Sequence, residues 1–366
     1  MRQYGNLISM TSDLRPRIAG WIRSNYPDIF AKFMELDRKF NSFTQSDHPY
    51  ITDSLGGSFK SYLRKNDKDQ LIKNLKSGLD EESCHTVDVL IERMLVYPDE
   101  KDKRKHKHKT PKEPVGGYLS FEEKKNSRQA KIGLAQAKKK FPVKPKVYEE
   151  SVFYYHHGLT LLPRSVQHYL HGKVFLDCGA YIGDSAIALS GYNYEKIYSI
   201  EMSKKSIERY HSNMERNKMD RDRYEIIEMG ISASDDLDPI ILPDTGSAGF
   251  SLFRTTSKYD HIEVVQKSLD FIVHQNHIQP SFIKADIEGA AYEMVKGGVK
   301  TFTTNRPVFS IAIYHNPSEF FEIKPFLQKT LPDYTFLIRK LDSSFLYNQC
   351  HSETVLIGYP NEITTI

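Results

Sequence analysis

The sequence predicts an α/β fold with a mostly parallel sheet, preceded by a small helical N-terminal region. From about residue 150 onward, short apolar runs suited to strands alternate with helical patterns. Several of these runs stop at an acid or a histidine, and such strand ends meet at one edge of a parallel sheet. The last two predicted strands, 334–339 and 354–359, have no helix between them, so we expect the sheet to end in an antiparallel pair.

Composition divides the 366 residues into three regions. Residues 1–99 carry apolar side chains at helical spacing and no catalytic cluster, which indicates a cap or an oligomerisation element. Residues 100–150 read as a basic linker, with sixteen Lys and Arg against four acids between Lys101 and Lys146. Since the net charge of the whole chain is only +4, the remainder is acidic. We therefore expect the chemistry in residues 151–366 and a solvated tether before them.

Composition also excludes several classes of protein. No run approaches the about 20 apolar residues of a membrane-spanning helix, and the first residues lack the apolar core of a secretory signal. Cys84, Cys178 and Cys350 are far apart, which argues against a disulfide framework and against a zinc cluster. A cytoplasmic protein is the expectation.

The stretch Lys173–Glu201 organises the predicted sheet. An apolar run stops at Asp177, two glycines follow at Gly179 and Gly183, a helical pattern comes next, and a second strand stops at Glu201. Strand, glycine turn, helix, strand and acid make up the first half of a nucleoside-binding, Rossmann-like sheet.

Charge indicates which nucleoside fits this turn. Dinucleotide folds use G-x-G-x-x-G to bring a helix N-terminus against a pyrophosphate. Here the spacing is G-x-x-x-G, and Asp177 and Asp184 stand at its two ends. Both carboxylates would repel a diphosphate. They suit S-adenosylmethionine, which carries an amino group, a sulfonium and no phosphate. Glu201 stands where a carboxylate accepts both ribose hydroxyl protons.

Two further strand ends carry candidate catalytic groups. Asp286, in K-A-D-I-E-G-A, could hold the substrate hydroxyl, act as general base or contact the methionine amine. Glu288 either caps the next helix or faces the substrate. His315 ends the following strand, where a neutral imidazole could take the proton of an acceptor hydroxyl. Helix capping, solvation or a strand-end hydrogen bond is the alternative role for these side chains.

Together these stretches resemble the FkbM family of S-adenosylmethionine-dependent methyltransferases, over about residues 150–360. The resemblance rests on F-L-D-C-G-A-Y-I-G-D-S, on I-E followed by a helix ending in N-M-E-R-N, on I-K-A-D-I-E-G-A and on R-P-V-F-S-I-A-I-Y-H. It implies a class I methyltransferase sheet and O-methylation, often of sugars or polyketide hydroxyls. The antiparallel ending also suits a methyltransferase sheet better than a dehydrogenase.

Residue by residue, the resemblance implies two groups of functional side chains. The active-site group is Asp286, Glu288 and His315. The cofactor group is Asp177, Gly179, Gly183 and Glu201, to which we add the neighbouring Tyr181, Asp184, Ser185 and Met202, and Ile231 after the third strand.

Two positions depart from the family pattern. Met202 follows Glu201 where family members often have proline. The residues before His315 include no acid, although family members often have one there. The second departure counts against metal-assisted chemistry, so the sequence predicts no metal.

The sequence therefore predicts an S-adenosylmethionine-dependent O-methyltransferase, of the EC 2.1.1 type, that acts on a hydroxyl of a glycan, a sugar or another small secondary metabolite. Asp286 or His315 is the expected base. One alternative is a nucleic-acid methyltransferase anchored by the basic segment 101–146, although D-I-E-G stands where an amino-group methylase would carry an N/D-P-P-aromatic turn. Another is a non-catalytic, cofactor-binding scaffold. A nicotinamide dehydrogenase fits least, and the acceptor and oligomeric state stay open.

Overall fold

The computed structural model describes residues 54–95, 121–244, 246, 261–342 and 351–364. Its strands are β1 Val174–Cys178, β2 Lys196–Glu201, β3 Tyr224–Glu228, β4 Gly230–Ser232, β5 Ile240–Pro243, β6 His261–Val264, β7 Gln266–Ser268, β8 Phe282–Ala285, β9 Val308–Ala312, β10 Tyr334–Lys340 and β11 Thr354–Pro360. Its helices are α1 Ser54–Lys65, α2 Lys68–Lys76, α3 Glu81–Leu95, α4 Phe121–Lys140, α5 Glu150–Phe153, α6 Arg164–Tyr169, α7 Asp184–Ala188, α8 Lys204–Arg216, α9 Leu269–Gln275, α10 Ala291–Lys296, α11 Val299–Asn305 and α12 Pro317–Thr330.

Seven strands form the main sheet, in the order β10-β11-β9-β8-β1-β2-β3. The pairs β1–β2, β1–β8, β2–β3 and β8–β9 are parallel, whereas β11 runs antiparallel to both β9 and β10. The predicted mostly parallel sheet with an antiparallel last strand is confirmed. The chain leaves β1 toward β2 on one side and reaches β8 on the other, and such a switch point opens a crevice at the carboxyl ends of the strands.

Apolar side chains cover both faces of this sheet. Successive residues of a strand point to opposite faces, and β1 shows this directly, since Phe175 joins one buried cluster while Leu176 and Cys178 join the other. The strand ends are thereby fixed between two layers of helices, which places the turns after β1, β2 and β8 side by side.

The described part of the N-terminal region packs on one of these faces. Phe59 of α1 and Leu90 of α3 belong to the same buried cluster as β8 and β9 side chains. Ser83 lies inside the first turn of α3 and connects this helix to the sheet. The helix begins at Glu81, Asp80 accepts from the Ser83 backbone N–H at 2.8 Å, and the Ser83 hydroxyl accepts from the Ile338 N–H of β10 at 2.9 Å.

Parts of the predicted organisation fall outside the described residues. These are residues 1–53 of the predicted helical region and the first part of the predicted basic linker, residues 100–120. The division into regions 1–99, 100–150 and 151–366 stays a prediction. Among the described helices, none combines the length and the apolar character that crossing a bilayer requires.

Candidate active site

A cavity lies where the turns after β1, β2 and β8 meet. Seven of the nine predicted cofactor residues line it, namely Gly179, Tyr181, Asp184, Ser185, Glu201, Met202 and Ile231. Of the predicted catalytic residues, Asp286 and Glu288 line it as well. The three remaining predicted residues, Asp177, Gly183 and His315, are not part of its lining. The crevice expected at the switch point therefore holds most of the predicted site.

Asp177 lies beneath the cavity, where it pairs with a lysine of β8. Its Oδ1 is 3.0 Å from Lys284 Nζ, and both side chains are buried. Lys284 Nζ also donates to the carbonyl oxygen of Gly179 at 2.7 Å. Direct cofactor contact by Asp177 stays a prediction, and in this structure its carboxylate is paired with Lys284. The repulsion of a diphosphate also rests less on Asp177 than the sequence indicates, because Lys284 offsets its charge.

The two glycines of the turn meet different constraints. Gly179 has φ +82°, and a Cβ there would lie 2.0 Å from the carbonyl oxygen of Asp286, so the turns after β1 and β8 touch through their backbones. Gly183 has φ +81°, and its Cβ would collide with Tyr210 and Met214 of α8. Gly183 therefore allows α8 to pack closely against the turn, and its cofactor contact stays a prediction.

The Glu201 carboxylate accepts hydrogen bonds from backbone N–H groups of the turns after β1 and β2. Oε2 accepts from the Tyr181 N–H at 2.8 Å, while Oε1 accepts from the N–H groups of Met202 at 2.9 Å and Ser203 at 2.8 Å. A carboxylate has about four acceptor positions. Three are used here, so fewer remain for ribose hydroxyls than the sequence predicts.

Asp184 and Ser185 begin α7 at the cavity wall. Burial, opposed by the nearby Lys284, raises the pKa of Asp184 to about 6. The Ser185 hydroxyl lies 2.9 Å from His157 Nε2, and burial lowers the pKa of His157 well below its usual value. His157 is therefore a neutral hydrogen-bonding partner at physiological pH.

The predicted catalytic side chains converge. His315 Nε2 lies 3.3 Å from Asp286 Oδ1 and 3.9 Å from Glu288 Oε1. On the other side of the ring, Nδ1 lies 3.4 Å from Oε2 of the buried Glu319. Asp286 and Glu288 reach the cavity, and His315 stands behind them between three carboxylates.

These charges shift both pKa values. Burial opposes ionisation of Asp286, but the adjacent His315 ring and Lys284 outweigh it and lower the pKa of Asp286 to about 2. Burial also disfavours the charged ring of His315, yet Asp286, Glu319 and Glu288 raise its pKa well above the usual value. The carboxylates thus favour an imidazolium, in contrast to the neutral ring expected from the sequence.

A hydrogen-bonded frame holds this cluster. Asn316 donates from Nδ2 to the carbonyl oxygen of Gly289 at 3.1 Å and caps α12 by accepting from the Glu319 N–H at 3.0 Å. Glu319 Oε1 accepts from the Ala291 N–H at 2.8 Å. Glu288 has a positive φ of 52°. The turn after β8 is therefore fixed against the start of α12.

Five other polar residues line the cavity without having been predicted from the sequence. They are Glu149, His157, Lys284, Tyr314 and Glu353. Lys284 and Tyr314 stand within the quoted motifs, so the sequence pointed to them without indicating their role. Glu149 and Glu353 carry no local signal, because they reach the cavity from before α5 and from the start of β11.

The cavity is acidic. Its lining carboxyl groups are Glu149, Asp184, Glu201, Asp286, Glu288 and Glu353, against one lysine, Lys284, among the described lining residues. Burial, together with Asp286 and Asp342, raises the pKa of Glu353 to about 7. Such a cavity suits a cationic ligand and disfavours an anionic one.

Comparison with known proteins agrees with this arrangement. Residues 177–343 match the model of the methyltransferase FkbM domain. No curated protein matches the chain significantly. The structure of the methyltransferase FkbM from Methylobacillus flagellatus KT superposes with a TM-score of 0.51 and 18% identity, over 82% of this chain and 61% of that one. The present chain thus spans less than two thirds of that protein.

Two more distant structures also match. A cofactor-bound protein, Rv0187 from MTB, has a TM-score of 0.38 and 11% identity, over 69% of this chain and 99% of that one. An O-methyltransferase from Bacillus cereus in complex with SAH has a TM-score of 0.33 and 15% identity, over 64% and 90%.

The strand order, the switch-point cavity and the family match agree on the fold and on the cofactor. The sheet is that of a class I methyltransferase, and the cofactor of such a domain is S-adenosylmethionine. Residues 177–343 are therefore a methyltransferase domain of the FkbM family.

Proposed function

We propose that this chain is an S-adenosylmethionine-dependent O-methyltransferase that acts on a hydroxyl of a glycan, a sugar or another small secondary metabolite. The observation that carries the proposal is the position of Asp286, which lines the cavity directly beside the glycine turn. The Asp286 carboxylate therefore lines the same cavity as the predicted cofactor residues. The cofactor supplies an electrophilic methyl group, and the chain has to position and deprotonate the acceptor.

Asp286 is the better placed of the two predicted bases. Its carboxylate faces the cavity, whereas His315 lies behind it and contacts it at 3.3 Å. We assign the acceptance of the hydroxyl proton to Asp286, which its low pKa keeps ionised, and the proton is accepted as the methyl group transfers. His315 then acts as a positioning residue that fixes the carboxylate, and Glu288 forms the adjoining wall.

The charge of the cavity supports an uncharged acceptor. Six carboxyl groups line it against Lys284, which is already paired with Asp177. Phosphate groups of nucleic acid or of nucleotide sugars would meet repulsion there. A neutral polyhydroxylated molecule can instead donate hydrogen bonds to these carboxylates.

We also propose, as the sequence predicts, that the protein is located in the cytoplasm.

The test is methyl transfer from labelled S-adenosylmethionine to a panel of neutral glycans, small hydroxylated metabolites, nucleotide sugars and RNA. We expect O-methylated neutral products. Removing a general base slows such a step by about 10²–10⁴-fold, so D286N should lose turnover while it still binds S-adenosylhomocysteine. The exposed D238N variant is the matched control and should retain full turnover.

Each other outcome selects a different reading. Retained turnover in both D286A and H315A would remove the base assignment. Salt-sensitive transfer to RNA would favour the nucleic-acid enzyme. Cofactor binding without transfer to any acceptor would favour a non-catalytic scaffold.

A further inference from the structure

We propose that Asp286, Glu288 and His315 form a binding site for one divalent cation of the Mn²⁺ class at the wall of the cavity. The sequence predicts no metal, because the residues just before His315 include no acid. The fold supplies acids from elsewhere, since the turn after β8 brings two carboxylates to the imidazole.

The spacing of the donor atoms fits one ion. One donor atom from each of the three residues lies within 4.8 Å of the other two. The imidazole Nε2 is 3.3 Å from Asp286 Oδ1 and 3.9 Å from Glu288 Oε1. Ligand bonds of about 2.0–2.2 Å place neighbouring octahedral donors about 3 Å apart. A small closure of the Glu288 side chain completes one face of an octahedron.

The imidazole is also buried, is directed at this point and lacks a well-formed hydrogen bond among the described residues. His315 is 8% exposed, and neither of its ring nitrogens forms a hydrogen bond of acceptable geometry within the described residues. Asp286 Oδ1 is likewise buried without a hydrogen bond. Buried polar atoms normally find partners. A cation between Nε2 and Oδ1 would supply the missing partner of both atoms.

Glu319 provides the second shell that such a ligand needs. Its Oε2 is 3.4 Å from His315 Nδ1, and its Oε1 is anchored by the Ala291 N–H at 2.8 Å. Metal-ligating histidines commonly direct the other ring nitrogen at a carboxylate, which fixes the tautomer and the orientation of the ring. When a cation displaces the Nε2 proton of the imidazolium, Nδ1–H stays directed toward Glu319 and the Nε2 lone pair is directed at Asp286 and Glu288.

The ligand set indicates the type of ion. Carboxylates suit Mg²⁺, Ca²⁺ and Mn²⁺, while one imidazole shifts the preference toward a first-row metal such as Mn²⁺. Three protein ligands leave octahedral positions open, and Asp286 and Glu288 both line the cavity. On the proposed function, an acceptor hydroxyl would occupy one open position, where its acidity would rise, and its proton would pass to the Asp286 oxygen that does not ligate the ion. This role rests on the proposed function, whereas cation binding does not.

The test is Mn²⁺ binding to the chelator-treated full chain, measured by the loss of the free-ion electron paramagnetic resonance signal without cofactor or acceptor. We expect one site per chain. D286N, E288Q and H315Q should each weaken binding at least tenfold, and E319Q by about 10–100-fold. E353Q removes a carboxylate from the same cavity outside the ligand set and should stay within about twofold of the native affinity.

A second measurement, pulsed electron paramagnetic resonance of Mn²⁺ bound to the native protein, tests the site without any variant. It should show ¹⁴N coupling from the imidazole, and bound Mn²⁺ without that coupling would overturn the site. Absence of binding, or equal loss in E353Q, would also overturn it, leaving His315 as an ion-paired ring. If methyl transfer persists in chelator while Mn²⁺ still binds in its absence, the cation has no role in transfer, but the binding site stands. Mn²⁺ binding without transfer to any acceptor removes the proposed function alone.

Discussion

Lys284 connects the cofactor turn to the catalytic turn. Its ammonium group neutralises Asp177 below the cavity, and it donates to the carbonyl oxygen of Gly179 in the turn itself. Asp286 follows two residues later on the same chain segment. One buried side chain therefore sets the distance between the end of β1 and the end of β8.

Replacing Lys284 by methionine should strongly destabilise the fold. Removing one partner of a buried ion pair leaves an uncompensated charge, at a cost of about 3–5 kcal/mol. Urea denaturation measures the loss. K196M removes a lysine from the half-exposed pair with Glu225 and should cost at most about 1 kcal/mol. D177N in the K284M background should recover part of the stability, and no recovery would contradict the pairing argument.

Replacing Glu201 by glutamine should weaken cofactor binding. The amide offers one oxygen to the three N–H groups that the carboxylate now accepts, so the wall around Tyr181 loosens. Hydrogen bonds to a charged group contribute about 1.5–3 kcal/mol, so calorimetry should show an affinity for S-adenosylhomocysteine lowered about 10–100-fold. E228Q, at the exposed end of the adjacent strand, is the control. Equal losses of affinity in E201Q and E228Q would contradict the role of Glu201 in cofactor binding.

Cofactor affinity should depend on pH through Asp184. Burial raises the pKa of this carboxyl to about 6, so the group loses its charge as pH falls below that value. A bound cation favours the charged form, and the affinity for S-adenosylmethionine should therefore fall between pH 7.5 and 5. The fall is about tenfold at most for each unit by which the cofactor lowers this pKa.

Two comparisons check the origin of that pH dependence. D184N should bind more weakly at pH 7.5 and lose most of the dependence. S-adenosylhomocysteine lacks the sulfonium charge and should show a shallower profile. A native profile that stays flat from pH 7.5 to 5 would exclude Asp184 as a charged contact.

At the scale of elements, the glycine turn between β1 and α7 is the tightest point of the site. Replacing Gly179 by alanine adds a Cβ 2.0 Å from the Asp286 carbonyl oxygen and also strains a positive φ. We expect a loss of stability above about 2 kcal/mol and weaker binding of S-adenosylhomocysteine. G172A separates the two causes, because Gly172 has a φ of +71° and open space around its Cβ. G172A should leave binding unchanged.

Strands and their ends were predictable from the sequence, whereas the pairing of side chains across them was not. Apolar runs that stop at Asp177, Glu201 and Asp286 show where strands end, because burial of both faces demands continuous apolar segments. Nothing local pairs Asp177 with Lys284, which lies 107 positions later. Residues such as Glu353 reach the cavity only through the antiparallel return of β11.

At the scale of the molecule, the described N-terminal helices share a core with the sheet. The cluster that holds Leu90 of α3 also holds Ile283 of β8 and Ile311 of β9. Because Asp286 directly follows β8, loosening the helices should reach the active site. Apolar periodicity alone could not show this, since it predicts a helix with an apolar face but not the surface that the face covers.

Replacing Leu90 by alanine should therefore weaken both the helices and the strands beneath the site. A buried Leu-to-Ala change costs about 2–5 kcal/mol. Hydrogen-exchange mass spectrometry should be done under conditions in which exchange reports the opening equilibrium. It should show faster exchange in peptides from α3, β8 and β9 together. L95A, which changes a side chain that is 36% exposed, should leave exchange in β8 unchanged. Faster exchange confined to residues 54–95 in L90A would show that these helices open independently. The stability of the active site would then not depend on them.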